Sequence, residues 1–149
     1  MAFMSSINVI GSGLTAQQLR LDVISENVTN ATTTRTEGGG AYRRKLVVFQ
    51  AEGTQTPFQA ALDRARGVVS SGQEGGVRVV QIAEDPSDFK LVYDPTHPDA
   101  NADGYVEMPN VDMMKEITDA MAAAQAYSAN VTALNVLKQV ANKGLEIGQ

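Results

Sequence analysis

Apolar residues recur at the two ends of the chain with the spacing of helices, and the pattern is longest at the C-terminal end. From residue 111 to 147 they fall at alternating steps of four and three: Met113, Ile117, Ala120, Ala124, Tyr127, Val131, Leu134, then Lys138 as a break, Ala141 and Leu145. That is the repeat of a coiled-coil seam. Leu137, Val140 and Ile147, with Met114 and Met121 above them, form a second stripe beside the first. Asn110 follows Pro109 and reads as the N-cap, because its side chain can accept from a first-turn amide. Asp112, Glu116 and Asp119 lie at the positive end and Lys138 and Lys143 near the negative end. Gly148 reads as the stop, with Gly144 a turn earlier as the alternative. Such a helix would be on the order of 55 Å long. No charged residue occurs from 120 to 137. A solvated helix face normally carries charge, so this helix is expected to meet protein on more than one side.

The N-terminal end has a matching seam: Ile7, Ile10, Leu14, Gln17 as a break, Leu21, Ile24, Val28 and Ala31. It predicts a first helix over about residues 5–30. Gly11 and Gly13 cost it roughly 1 kcal/mol each, so alone it is marginal. Residues 1–19 are uncharged but interrupted by Ser, Asn, Gly and Gln, which speaks against a cleaved signal and against a membrane span. Two helices with weak, small-residue seams, one at each end, can pair as an antiparallel hairpin. The expected fold is therefore α+β, with residues 1–34 and 111–149 as a discontinuous helical unit and 35–110 as a linker plus a small β-rich insert.

Within the insert the period changes. Residues 29–40 are Thr-rich, contain Gly38, Gly39 and Gly40, and read as a linker. Residues 42–49 turn β-like. Their basic run, Arg43, Arg44 and Lys45, reads as a solvated strand end, with binding to an anionic polymer or phosphate as the alternative. Residues 58–66 suit a short helix and 67–76 a loop. Residues 77–83 and 89–93 read as strands joined by the turn Asp85-Pro86-Ser87-Asp88. The short connections favour antiparallel pairing.

Composition narrows the function classes. The chain has 149 residues, 43% hydrophobic and 19% charged, with no tryptophan. Such a chain has the length of one domain, and its scarce aromatics argue against a large compact core. A net charge of -5 argues against nucleic acid as a partner. The absence of cysteine excludes thiol chemistry, disulfides and cysteine metal sites. No P-loop, nucleophile elbow, dinucleotide fingerprint or zinc-protease motif is present, so no enzyme and no cofactor is expected. Sequons at Asn27, Asn30 and Asn130 fall in or beside predicted helices and carry no weight.

One stretch imitates a metal site. Asp99, Asn101, Asp103, Gly104 and Val106 match the first eight positions of an EF-hand loop. The twelfth position should be a bidentate glutamate and is Asn110, and Pro95 and Pro98 prevent a leading helix. A hydrogen-bonded Asx turn is expected here. His97, the single histidine, has no partner for a triad or a multi-histidine site and reads as a turn residue.

Several stretches together resemble the bacterial flagellar basal-body rod protein family. Residues 21–30, LDVISENVTN, resemble the family's N-terminal signature, in which an Asn-x-x-Asn pair closes the first helix. Tyr42-Arg43-Arg44-Lys45 after a Gly-rich lead resembles the segment that follows it. Residues 93–111, from Tyr93 through the Asp99 to Asp103 loop to Val111, resemble one rod subtype. Ala126, Tyr127, Asn130, Val131, Leu134 and Asn135 resemble the C-terminal helix signature. Departures are Ala124-Gln125, where the family more often has a basic residue, and the Thr-rich run at 31–36.

The resemblance implies a structural subunit of the periplasmic rod, exported through the flagellar type III apparatus without a cleaved signal. Its partners would be further copies of itself, other rod proteins, and the basal-body junction and MS-ring proteins, with peptidoglycan or another subunit as the alternatives for the Arg43 cluster. Packing between helices and subunits is expected to fall on Ile7, Ile10, Leu14, Leu21, Ile24, Asn27, Val28 and Asn30, and on Ile117, Met121, Ala124, Tyr127, Asn130, Val131, Leu134, Leu137, Val140 and Leu145. The competing classes are a metal-binding or other interaction module with a helical oligomerisation handle, and a secreted effector or needle-type subunit.

Overall fold

A computed structural model describes residues 2–53, 62, 65–66 and 75–147. Two long helices, α1 (Ala2–Thr29) and α2 (Met113–Ile147), carry between them four strands: β1 (Lys45–Glu52), β2 (Gly76–Glu84), β3 (Lys90–Tyr93) and β4 (Tyr105–Met108). The fold is α+β. The helices pack against each other and run antiparallel: Gly13 faces Asn130, Arg20 pairs with Asp119, and Asn27 bonds Glu116, so one number rises as the other falls. A Cβ on Gly13 would sit 3.0 Å from Asn130 Nδ2, so the missing side chain permits the close approach. No helix among the described residues is long and apolar enough to cross a membrane.

The strands form two separate antiparallel hairpins, β1 with β2 and β3 with β4. The first leans on α1. Its register runs from Lys45 opposite Glu84 to Glu52 opposite Gly76, with an irregularity between Val48 and Phe49. The second pairs Lys90 with Met108 and Tyr93 with Tyr105. The sequence pattern does not reveal β4: polar loop residues precede it, and the strand itself is only four residues long. In the connecting loop, Gly104 has φ of 80°, and a Cβ there would also meet the Tyr93 ring at 2.9 Å. The helix expected over residues 58–66 and the loop over 67–76 lie mostly outside the described residues.

One boundary expectation changes, and one alternative falls away. Asn110 is not the cap of α2. Asp112 takes that place, accepting from the Met114 amide at 3.0 Å, while its carbonyl receives the Glu116 amide at 2.9 Å. Gly144 does not end α2, which continues to Ile147. The Thr-rich stretch after α1 is also not a free tether. Thr36 N donates to Gly40 O and Tyr42 N to Thr33 O, both at 3.0 Å, and fold it back on itself.

Candidate functional site

Among the described residues, polar side chains gather in a buried clasp where α1, the start of β1, the turn after β2 and the start of α2 converge. At its centre the Arg44 guanidinium is nearly enclosed. Its Nε donates to Glu116 Oε1 at 2.5 Å, and its terminal nitrogens reach Asp85 Oδ2 at 3.4 Å and Asp119 Oδ2 at 3.2 Å. Glu116 is 0% exposed and Asn27 1%. Asn27 uses its full amide capacity. Its Nδ2 donates to Lys45 O at 2.9 Å and Glu116 Oε2 at 3.1 Å. Its Oδ1 accepts from Tyr42 Oη at 3.0 Å and Lys45 N at 2.9 Å. Asn110 accepts from the Arg44 amide and donates to Asp85 O, Ser87 O and Ser87 Oγ. Lys45 closes one side against Glu26.

The electrostatics follow from this packing. Burial opposes the charge on Arg44, but the bond and charge of Glu116, with Asp85 and Asp119, outweigh it and hold the guanidinium above its ordinary pKa. Backbone and side-chain bonds from Ser87, with Arg44 adding to them, hold Asp85 below the usual carboxylate value. Burial, then the carboxylates of Glu26, Glu116 and Glu84, push the Tyr42 phenol up to about 12 from 10.0. Because the folded value is raised, this group stabilises the fold fully below pH 10.0, and the contribution is lost as pH rises toward about 12. Tyr42→Phe is expected to cost about 1 kcal/mol at neutral pH through the donor lost to Asn27. It should also flatten the loss of stability across that alkaline window. Urea unfolding followed by circular dichroism at stepped pH checks both.

The basic run at residues 43–45 is therefore not a solvated strand end. Arg43 Nη1 donates to Asp85 O at 2.9 Å and its guanidinium lies 4.4 Å from the Phe89 ring centre; Arg44 is buried; Lys45 is paired. Glu116, Tyr42, Asn110 and Asp85 escaped the sequence reading as site residues, and Arg44 entered it only within a basic run with an anionic polymer or phosphate as the alternative partner. The available signal was Glu116, a charge placed on the line that continues down α2 through Ala123 and Asn130.

The helix-pairing residues also divide. On α1, Ile24 and Asn27 are buried, while Ile7, Ile10, Leu14, Leu21, Val28 and Asn30 are half-buried. Asn30 caps the helix end, with Nδ2 donating to Glu26 O at 3.0 Å. On α2, Tyr127, Asn130, Val131, Leu134 and Leu137 are half-buried, whereas Ile117, Met121, Ala124, Val140 and Leu145 are exposed. The seam inside the chain thus runs through Glu116, Ala120, Ala123, Tyr127, Asn130, Leu134, Leu137 and Ala141 rather than through Met113, Ile117, Ala124 and Lys138. Both lines share every other position, and apolar periodicity alone does not choose between them; the clasp does, by drawing Glu116 inward. On α1, Ala16 and Val23 are more deeply buried than the Gln17 line, because that helix packs on α2 and the first hairpin together. Gln17 Oε1 is buried with no hydrogen-bond partner among the described residues. Gln17→Met should raise stability by about 1 kcal/mol, read as a higher urea midpoint.

The EF-hand-like loop is a turn. Asn101 Oδ1 accepts from the Asp103 amide at 3.0 Å and the Tyr105 amide at 2.8 Å. Asp99 is occupied by Thr34 Oγ1 at 2.8 Å and faces Arg35 at 3.8 Å. His97 Nδ1 accepts from the Asp99 amide at 3.1 Å, as a turn residue does. Among the described residues no group of three or more acidic or histidine side chains is arranged to hold a metal ion. The metal-module alternative finds no support in this geometry.

Comparison with known proteins adds what geometry cannot. A family described as "Flagella basal body rod protein" matches residues 7–35, and one described as "Flagellar basal body rod FlgEFG protein C-terminal" matches residues 102–147. These are α1 with its fold-back loop, and β4 with α2. The chain is 48% identical to the flagellar basal-body rod protein FlgC of Bacillus subtilis over 149 residues, covering 97% of each chain. It is 43% identical to that of Borreliella burgdorferi, covering 100% of this chain and 99% of the other. It is 39% identical to that of Salmonella typhimurium over the full length of both. With that identity over the whole length, strands and loops included, the chain belongs to the FlgC family of flagellar basal-body rod proteins.

Proposed function

We propose that this chain is a structural subunit of the flagellar rod that assembles through the outward faces of its terminal helices. The flagellar basal body is its location, as for the rod proteins to which it is related. The observation that carries the assembly mode is the second side of α2. Met113, Met114, Ile117 and Met121 near its start, and Val136, Val140 and Leu145 near its end, are exposed in the single chain. A different side of the same helix, through Glu116, Ala120 and Ala123, already packs toward α1. Met113, Ile117 and Met121, spaced by four, share one exposed face, and such a run of exposed apolar side chains marks an interaction surface. Methionines suit contacts with several non-identical neighbours, because their side chains adapt.

In this reading residues 1–34 and 111–149 form the assembling unit and 35–110 the insert, with the clasp fixing one to the other. The subunit takes a place in the proximal, periplasmic rod, reached by export without a cleaved signal. It contacts further copies, other rod proteins, and the junction and MS-ring proteins. Torque passes through many shared helix contacts around a tube whose bore is the export path. The reading assigns the chain no catalytic step. Peptidoglycan is a weak candidate for the basic run, since Arg44 is buried and Lys45 is paired.

Mass spectrometry of intact basal bodies from the source cells tests the reading. The chain should be found in the rod fraction, and a version ending after Gly104, which lacks α2, should be lost from it. Absence of the full chain from basal bodies of flagellated cells would overturn the proposal.

A further inference from the structure

Two apolar lines run side by side on α2. Between residues 116 and 141 they differ at four places: Glu116 or Ile117, Ala123 or Ala124, Asn130 or Val131, and Leu137 or Lys138. Ala120, Tyr127, Leu134 and Ala141 belong to both. Successive residues of a helix are ~100° apart, so a turn of α2 about its own axis by roughly half that angle exchanges one line for the other.

The line that faces α1 is the less apolar over most of its length. Glu116 and Ala123 are fully buried, whereas Ile117 is 47% exposed and Ala124 is exposed. Burying Ile117 and Val131 in place of Glu116 and Asn130 would remove more apolar area from water, and Ala123 against Ala124 is neutral. Only the last place, Leu137 against Lys138, favours the observed facing. No charge between residues 120 and 137 opposes the turn. Gly13, with no side chain, leaves room for Asn130 or Val131 alike. The Arg20 to Asp119 pair spans 3.6 Å with both side chains about a third exposed, and such pairs hold weakly. What remains is the clasp. Glu116 accepts from Arg44 Nε at 2.5 Å and from Asn27 Nδ2 at 3.1 Å, and Arg44 Nη2 reaches Asp119 Oδ2 at 3.2 Å. The Arg44 amide is itself held by Asn110, so the carboxylate of Glu116 has one fixed place to go.

We propose that the Arg44 and Glu116 pair is a rotational key. It fixes which of two competent lines of α2 faces α1, and so keeps the Met113, Ile117 and Met121 line outside. A buried ion pair adds little stability over an apolar pair of similar size, but a turned helix would break it and strand the arginine. Single buried polar groups set the register of paired helices in the same way. The facing belongs to the single chain; that the outer line then meets neighbours rests on the rod reading.

Thiol labelling of the purified full-length chain tests the facing without reference to assembly. The chain has no cysteine, so each reporter is read alone. Ala124→Cys lies on the exposed line, and Ala123→Cys lies inside at a 0% exposed position. Ala16→Cys, at a 3% exposed position on α1, reports opening of the whole molecule. In the native background iodoacetamide should modify position 124 fast and positions 123 and 16 slowly. With Arg44→Met and Glu116→Leu added, position 123 should label about tenfold faster or more while 16 stays slow. That change needs the turned form to rise only from about 1% to about 10% of chains. Position 123 remaining as slow as in the native chain, with 16 slow, overturns the key. If 123 and 16 speed up together, the chain opens as a whole, and Glu116→Gln, which keeps Arg44 and weakens the pair, decides. A rise at 123 alone then supports the key, and an equal rise at both positions, or none, ends it. Neither result bears on the rod reading, which the basal-body measurement judges separately.

Discussion

Replacing Glu116 with alanine is expected to lower the unfolding free energy by about 3–5 kcal/mol, the cost of stranding a buried charge. The loss has two sources. Arg44 keeps its charge in a nearly closed site and loses its shortest bond, and Asn27 Nδ2 loses one of its two acceptors. Asp85 and Asp119 remain, but at longer distance and nearer to water. Most domains are stable by only about 5–15 kcal/mol, so this single change should leave a large unfolded fraction. Urea unfolding at neutral pH checks it. Glu116→Gln should lose less, because one amide oxygen can still accept. Glu116→Leu with Arg44→Met should recover most of the loss, since neither charge is then buried. An alanine variant within about 1 kcal/mol of the native chain would show that water replaces the carboxylate.

Met121→Glu should do the reverse: leave the folded subunit intact and abolish incorporation. Met121 is 69% exposed, so a carboxylate there stays hydrated in the free chain and the urea midpoint should move by less than about 0.5 kcal/mol equivalent. In an assembled contact the same carboxylate is desolvated without a partner, at about 2 kcal/mol or more per contact, which is more than tenfold in affinity each time. In the proposed assembly each copy meets several neighbours, so the losses compound. Basal bodies from cells carrying the variant should lack the chain, and the cells should not swim. Normal swimming would remove this face of α2 from the assembly surface. Leu134→Glu, on the inward side, should instead damage both folding and incorporation.

The two helices were legible in the sequence because their signal is local: a repeat of apolar positions at fixed spacing. So was the Asx turn at Asn101, for which the twelfth position and the prolines already spoke. What was not legible depended on partners far along the chain. Arg44 sits in a run of three basic residues, and nothing near it says that carboxylates from 85, 116 and 119 will surround it. Asn110 obeys every local rule for a cap and still does something else, because Asp112 caps equally well and the side chain at 110 is needed between Arg44 and Ser87. The choice between two interleaved apolar lines on α2 has the same origin. Periodicity fixes that a seam exists; a buried pair elsewhere decides which way it faces.

The bond from Asn27 to Glu116 spans 89 positions of the chain. Closing so wide a loop carries an entropic charge that local helix formation does not, and contacts of this separation form late. During synthesis α1 is complete long before the residue it needs has been made. Until then it has neither its seam nor its anchor, and with Gly11 and Gly13 inside it, it is a weak helix by itself. The closing of the molecule is therefore timed by its own length, and nearly the whole chain must be present before the N-terminal segment is committed to its place.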